Sequence, residues 1–438
     1  MNNPLKTFSL GFQHVLAMYA GAVIVPLIVG GALGLTFEQL TYLVSIDLLA
    51  CGIATLLQVW KNRFFGIGLP IMLGCTFTAV GPMIAIGSQF GISSIYGAII
   101  VSGLIVVAIA KYFGSLLKFF PPVVTGSVVT IIGITLIPTA VNNMAGGQGN
   151  PKFGDPSYLM LSFGVLVIIL LLNKFFTGFV RSISILLGMI IGTIAASFMG
   201  LVDFSKVNEA SWFHMVQPFY FGTPTFEITP ILTMTLVNIV SLIESTGVYL
   251  ALSNICGQKL TQDDLAKGYR AEGLAIFLGG VFNALPYTAY SQNVGLVQLS
   301  GVKSRNTIVM AGIILVVLGL VPKIAAITTI IPEPVLGGAM VAMFGMVVAY
   351  GIKMLSNVSF DTNGNLLIIA CSIGMGLGVT TVPELFGQLH PSVQIITSNG
   401  IVAGSLTAIL LNIIFNVIPS GKASEKKKML GLEQTKVS

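Results

Sequence analysis

The stretch Asn283-Ala284-Leu285-Pro286-Tyr287-Thr288-Ala289-Tyr290-Ser291-Gln292-Asn293-Val294-Gly295 lies between two strongly apolar segments, and its reading decides the fold. In hydrocarbon every backbone N–H and C=O needs a partner within the protein, so broken backbone persists only where it is buried or lines a cavity. Pro286 removes a donor and disfavours helix just before it. The polar run Tyr290 to Asn293 then offers side chains that both donate and accept hydrogen bonds. This is the composition of a polar pocket at the end of a broken helix, and the rest of the chain reads as what holds it.

Composition places that pocket in a membrane. The 438 residues are 55% hydrophobic and 8% charged, with a mean hydropathy of +0.94, whereas soluble domains carry about 25% charged residues. Near the N-terminus no small-residue cleavage pattern follows the apolar run, so residues 10–29 read as a first span and not as a signal peptide. Cys51, Cys75, Cys256 and Cys371 are scattered through apolar sequence, as small core residues are, and suggest neither a disulfide framework nor a metal site.

Roughly 20 apolar residues cross a bilayer, and fourteen stretches qualify: 10–29, 40–60, 67–87, 94–112, 122–140, 157–174, 181–200, 228–250, 268–284, 288–302, 306–325, 334–353, 364–381 and 398–418. The third is interrupted by Pro70, Gly74, Pro82 and the polar run Cys75-Thr76-Phe77-Thr78, and the tenth by the opening stretch. Basic residues test the count, because cytoplasmic loops are rich in Lys and Arg. With the N-terminus inside, 18 of the 21 Lys and Arg fall inside, and only Lys152, Lys206 and Lys323 fall outside. One missed helix would flip every later loop. The net charge of +6 thus reflects topology and gives no reason to invoke nucleic acid.

The chain also repeats itself. Pro122-Val123-Val124-Thr125-Gly126 opens the fifth span and Pro334-Val335-Leu336-Gly337-Gly338 the twelfth, with Gly133 answering Gly345; Leu69-Pro70 enters the third and Leu285-Pro286 the tenth. Each pair lies seven spans apart, so the second copy is inverted. Interrupted segments at corresponding positions of inverted halves point to a transporter's midplane site.

Ionisable residues within spans suggest function. Glu244, deep in the eighth, is the strongest candidate: burial makes its charged form costly, so the group can be neutral in one state and ionised in another. Glu272, early in the ninth, is close enough to Arg270 for a plain interfacial ion pair. His14 in the first span serves equally as a packing donor, and Asp47 in the second reads as structural. No phosphate-binding Gly-rich loop, no His/Cys metal spacing and no serine elbow is present, and the 50 glycines read as close helix packing.

Gln292-Asn293-Val294-Gly295, followed by Leu296-Val297-Gln298-Leu299-Ser300-Gly301, resembles the signature of the nucleobase–ascorbate transporter family: Q/E-N-x-G, four variable residues, then T and R, K or G. Gln13-His14 and Glu244 match the family's pattern too, over essentially the full chain, and within the family the chain resembles the bacterial xanthine permeases. Ser300 stands where Thr is usual and Glu272 where many relatives carry Asp. Val248 replaces a polar residue of some members, which removes a proton relay through that position.

The resemblance implies an all-α polytopic membrane protein of fourteen segments in two inverted repeats of seven, with short antiparallel strands in the third and tenth. It implies a core domain (residues 1–121 and 228–325), a gate domain (122–227 and 326–420) and a cytoplasmic tail (421–438). It implies that Glu244 accepts ring N–H groups, that Gln292 makes a two-pronged amide contact, and that Phe77 stacks on the heterocycle. Thr76, Tyr290 and Ser291 line the site, Asn293 braces the broken helix, and Glu272 and His14 serve in support or proton coupling. The implied partners are protons and a purine, xanthine before urate, in a plasma-membrane homodimer joined through gate domains, with both termini cytoplasmic and no cofactor or metal. An anion exchanger of like architecture would keep a basic residue near the broken spans, and none lies within 70–82 or 286–301.

Overall fold

The computed structural model describes residues 4–116, 119–213, 215–360, 363–390, 393–394 and 397–418; the expected tail, 421–438, lies outside the described residues. The chain is mostly helical. The helices are α1 (Pro4–Ala32), α2 (Phe37–Val59), α3 (Val80–Phe90), α4 (Ile92–Leu116), α5 (Pro122–Met144), α6 (Pro156–Phe175), α7 (Gly178–Ser182), α8 (Ser184–Phe198) and α9 (Ser205–Glu209). After these come α10 (Ile228–Cys256), α11 (Gln262–Val281), α12 (Ser291–Ser300), α13 (Arg305–Gly319), α14 (Pro322–Thr329), α15 (Glu333–Leu355), α16 (Asn363–Thr381) and α17 (Gly400–Asn412). Two three-residue strands, β1 (Leu73–Cys75) and β2 (Tyr287–Ala289), interrupt them.

Local chemistry sets the ends. Thr36 and Thr261 open α2 and α11 with capping boxes, each hydroxyl accepting an amide of the first turn while Gln39 or Asp264 reaches back. Gly257 and Gly301, at φ of 68° and 64°, close α10 and α12 in the left-handed region that glycine enters without strain.

Among the described residues nine helices are long and apolar enough to cross a membrane. A tenth span is counted if α13 and α14, bent by 80° at Leu320–Val321, are taken together. The stretch 306–325 is therefore not one straight helix. Pro322 opens α14 and cannot donate to a continuing ladder. The helices α3 and α12 are short because each starts only after its strand, and α11 carries Asp263, Asp264, Lys267, Arg270 and Glu272.

The helices pack in two groups. In one, α4 lies on α11 and α10, and α13 on α1 and α2; in the other, α15 lies on α5, α6 and α8, and α16 on α5 and α17. Glycine permits close approach in each. A side chain at Gly103 would meet the Phe277 amide at 2.6 Å, and one at Gly133 the Val348 amide at 2.7 Å. Gly345, which the repeat pairs with Gly133, faces no neighbour within 4 Å, so the two positions do not share a packing role.

Candidate binding site between the paired half-helices

β1 and β2 pair antiparallel, Leu73 opposite Ala289, Gly74 opposite Thr288 and Cys75 opposite Tyr287. The ladder continues at both ends: the Thr76 amide donates to the Pro286 carbonyl (2.9 Å) and the Tyr290 amide to the Met72 carbonyl (3.0 Å). Two strands have two open edges, which in a membrane interior must be closed by other groups. Side chains of the flanking helices do this. Thr55 of α2 accepts the Leu73 amide (3.1 Å), Ser245 of α10 the Ala289 amide (3.0 Å), and Asp47 of α2 the Leu285 amide (3.1 Å). Asp47 is fully buried in this bracing role.

Each strand hands over to a helix. After β1, Thr76 opens a tight turn over Phe77–Ala79 that runs into α3; its hydroxyl accepts the Thr78 amide (3.3 Å) and bonds the Ser241 hydroxyl (3.2 Å). The Phe77 ring is buried edge-on against Phe344 of α15, centroids 5.6 Å apart, where the two helix groups meet. After β2, Tyr290 precedes α12 without any side-chain cap. The Tyr290 hydroxyl donates to the Cys75 carbonyl (2.9 Å), and its ring lies over the bare backbone of Gly74 and Gly21, so this side chain supports the strands from behind.

Ser291 and Gln292 are half-buried at the start of α12, and the Gln292 amide has no hydrogen-bond partner among the described residues. Asn293 is buried and donates its amide to the His14 carbonyl (3.0 Å), with His14 Nδ1 at 3.2 Å, which fastens α12 to α1. Glu244 is half-buried in a narrow crevice with Val240 and Ile243 of α10 facing Val124, Thr125, Val128 and Val129 of α5. Its carboxyl, like the Gln292 amide, lacks a protein partner among the described residues.

Glu272 is fully buried and takes the Tyr249 hydroxyl on Oε1. Arg270 turns away from it, donating to the Phe64 carbonyl (3.2 Å) and stacking on the Phe64 ring, so these two residues form no ion pair. The ion pairs at that end of α11 are Lys61–Asp264 (2.8 Å) and Lys267–Asp263 (2.6 Å). No group of three His, Cys, Asp or Glu able to hold a metal occurs among the described residues. The bracing groups Thr55, Ser241, Ser245 and Tyr249 went unmarked in the sequence, since Ser, Thr and Tyr within apolar helices carry no spacing signal.

A helical membrane chain broken twice at one buried strand pair, with unpaired polar side chains beside the break, defines a multi-pass membrane transporter. Residues 5–385 match a family described as the permease family. The chain belongs to this family of nucleobase–ascorbate transporters, and it is a permease and not an enzyme. It is 64% identical to the xanthine permease of Bacillus subtilis (strain 168) over 432 residues, covering 99% of each chain. It is 66% identical over 412 residues to the nucleobase transporter PlUacP of Paenibacillus larvae, covering 94% of this chain and 95% of that one. The uric acid permease PucK of Bacillus subtilis is 64% identical over 425 residues, with 97% and 99% covered. Among solved structures, the transmembrane domain of a cyanobacterial bicarbonate transporter, BicA, shares the fold at a TM-score of 0.63 and 15% identity, over 92% of this chain and 97% of that one.

Proposed function

We propose that the protein imports an oxidised purine nucleobase, xanthine first, by proton symport with alternating access. The observation that carries this reading is the pair of polar side chains left without protein partners among the described residues, Gln292 at the start of α12 and Glu244 in the crevice between α10 and α5. Both side chains are half-buried and can turn to a ligand; a ligand that covers them must supply their partners, since a buried polar group left without one costs about 1–3 kcal/mol. Gln292 offers an acceptor and two donors to a ring amide, and Glu244 accepts ring N–H groups or a proton. Phe77 stacks on the heterocycle, and the uncapped first turn of α12 at Ser291 supplies amides. Thr76, Tyr290, Asn293 and His14 hold the geometry, and Glu272 serves in proton coupling.

The finer architecture belongs to the same reading. Fourteen segments form two inverted repeats of seven, the group around α4, α10, α11 and α13 acting as core and the group around α5 and α15 as gate. Phe77 and Glu244 lie where the groups meet, so sliding one past the other exposes the site alternately. The homodimer joins through gate domains in the plasma membrane, with both termini cytoplasmic. Uric acid is the second reading, favoured by identity to PucK as high as to the xanthine permease. Uptake of radiolabelled xanthine, urate and uracil by cells lacking their own permeases tests the proposal. Saturable xanthine uptake that collapses with the proton gradient is expected; uptake of uracil alone, or dependence on sodium, overturns it.

A further inference from the structure

Away from the crevice the helices bury a second polar chain. Tyr249 of α10 donates its hydroxyl to Glu272 Oε1 of α11, and Gln58 of α2 donates its side-chain amide to that same hydroxyl. All three residues are fully buried. Because the Gln58 N–H enters the tyrosine oxygen, the tyrosine's own proton must point elsewhere, and Glu272 is where it goes. Both ends of the chain are acceptors without donors, Glu272 Oε2 and Gln58 Oε1. One turn before Tyr249, Ser245 accepts the Ala289 amide of β2 and bonds Thr288 Oγ1 (3.1 Å), so Tyr249 and the strand pair share one face of α10.

We propose that Tyr249, oriented by Gln58, is the positioning residue that sets how tightly Glu272 holds the coupling proton. The inference rests on the coupling role given to Glu272 above. Phenylalanine would fill the same space; a hydroxyl in a fully buried site is useful only to its partners. Its O–H favours the ionised carboxyl, while the bare Oε2 leaves room for a proton. Among the described residues the surroundings supply no competing cation. On α10 the titratable neighbours are Glu244 and Tyr249 itself, and the Ser245 hydroxyl also stands near the carboxyl while bonded to Thr288. On α11 Tyr269 is bonded to Thr246 (2.7 Å) and Arg270 to the Phe64 carbonyl. The neighbouring α2 presents the uncharged Gln58, α4 presents Gly103 and Val107 against Gly273, and β2 presents Thr288. Val248, apolar beside Tyr249, contributes nothing.

The test is uptake of radiolabelled xanthine against external pH, normalised to the amount of protein in the membrane, for the wild type and the variants Tyr249→Phe, Gln58→Leu, Glu272→Gln and Tyr249→Phe/Glu272→Gln. Loss of one hydrogen bond to an ionised carboxyl moves its titration up by about one pH unit. Tyr249→Phe is therefore expected to keep uptake going to a pH about one unit higher, and Gln58→Leu to move it less in the same direction. Glu272→Gln flattens the profile, and the double variant matches it. If Glu272→Gln flattens the profile while Tyr249→Phe keeps the wild-type one, the positioning role is wrong and coupling stands. If Glu272→Gln keeps the wild-type profile, coupling through Glu272 fails and the positioning role with it. If Tyr249→Phe does not reach the membrane, Gln58→Leu decides by the same readout, and an unmoved profile overturns the inference.

Discussion

The two broken spans begin alike and end differently. Both enter on Leu-Pro, both contribute a three-residue strand to one ladder, and both continue as a short helix. The half after β1 is tied into the protein: Thr76 caps its turn and bonds Ser241 of α10, and Phe77 leans on Phe344 of α15. The half after β2 stays open, with no side-chain cap and with Gln292 unpaired among the described residues. Equal strands thus carry unequal duties. Apart from Phe77, the first half serves as scaffold and the second faces the ligand, so affinity should be lost mainly on one side and stability on the other.

The largest effect is expected at Glu244, the carboxyl in the crevice between α10 and α5. Glu244→Gln keeps size and removes titration, so accumulation of xanthine against a gradient should vanish in uptake assays even where some binding survives. Full accumulation by this variant would break the coupling argument.

Gln292 comes next and concerns the open half alone. Gln292→Ala leaves buried ligand groups unpaired, at about 1–3 kcal/mol, which is roughly ten- to a hundredfold in affinity. Gln292→Glu should lose as much, because an ionised carboxylate only accepts and leaves the ligand's carbonyl without a donor. Competition binding with xanthine measures both, and thermal stability should stay unchanged.

Gly74 sharpens the contrast from the scaffold side. A Cβ there would stand 2.5 Å from Tyr290 Cζ, too close for carbon atoms. Gly74→Ala must push the ring and its bond to Cys75, so about 1–3 kcal/mol of stability should go, as in other overpacked cores. A lowered melting temperature of the purified protein is the readout. Unchanged melting with weakened binding would reverse the assignment of duties.

The contrast also marks what the sequence makes legible. The broken spans were readable because proline and a polar run in apolar sequence conflict with a continuous membrane helix. The strand pair, now seen as Leu73–Cys75 on Tyr287–Ala289, was implied by the family resemblance, and the need to satisfy the broken backbone agrees with it. The 80° bend between α13 and α14 was hidden, since Leu320-Val321-Pro322 differs little from a tolerated helix proline. Side-chain commitments were hidden as well. Arg270 two residues before Glu272 suggested an ion pair, yet two residues along a helix point to different faces, and Tyr249 from another helix takes that carboxyl. The resemblance places Thr76 and Tyr290 at the site, and the sequence alone does not say that their hydroxyls also bond Ser241 and the Cys75 carbonyl.

Thr76 therefore provides the smallest and most discriminating test. Its hydroxyl accepts the Thr78 amide at 3.3 Å and bonds Ser241 at 3.2 Å, which occupies it within the protein. Thr76→Val keeps the shape and strands both partners, so about 1 kcal/mol of stability is expected to be lost, the usual scale of a missing cap. Binding should weaken only as far as the turn carrying Phe77 loosens, by roughly threefold, which corresponds to less than 1 kcal/mol. Thr76→Ser keeps the hydroxyl and should restore both quantities. A tenfold loss of xanthine affinity in Thr76→Val, with melting unchanged, would mean that the hydroxyl reads the ligand. The first half would then be as open as the second, and the division between scaffold and ligand-facing half would be wrong.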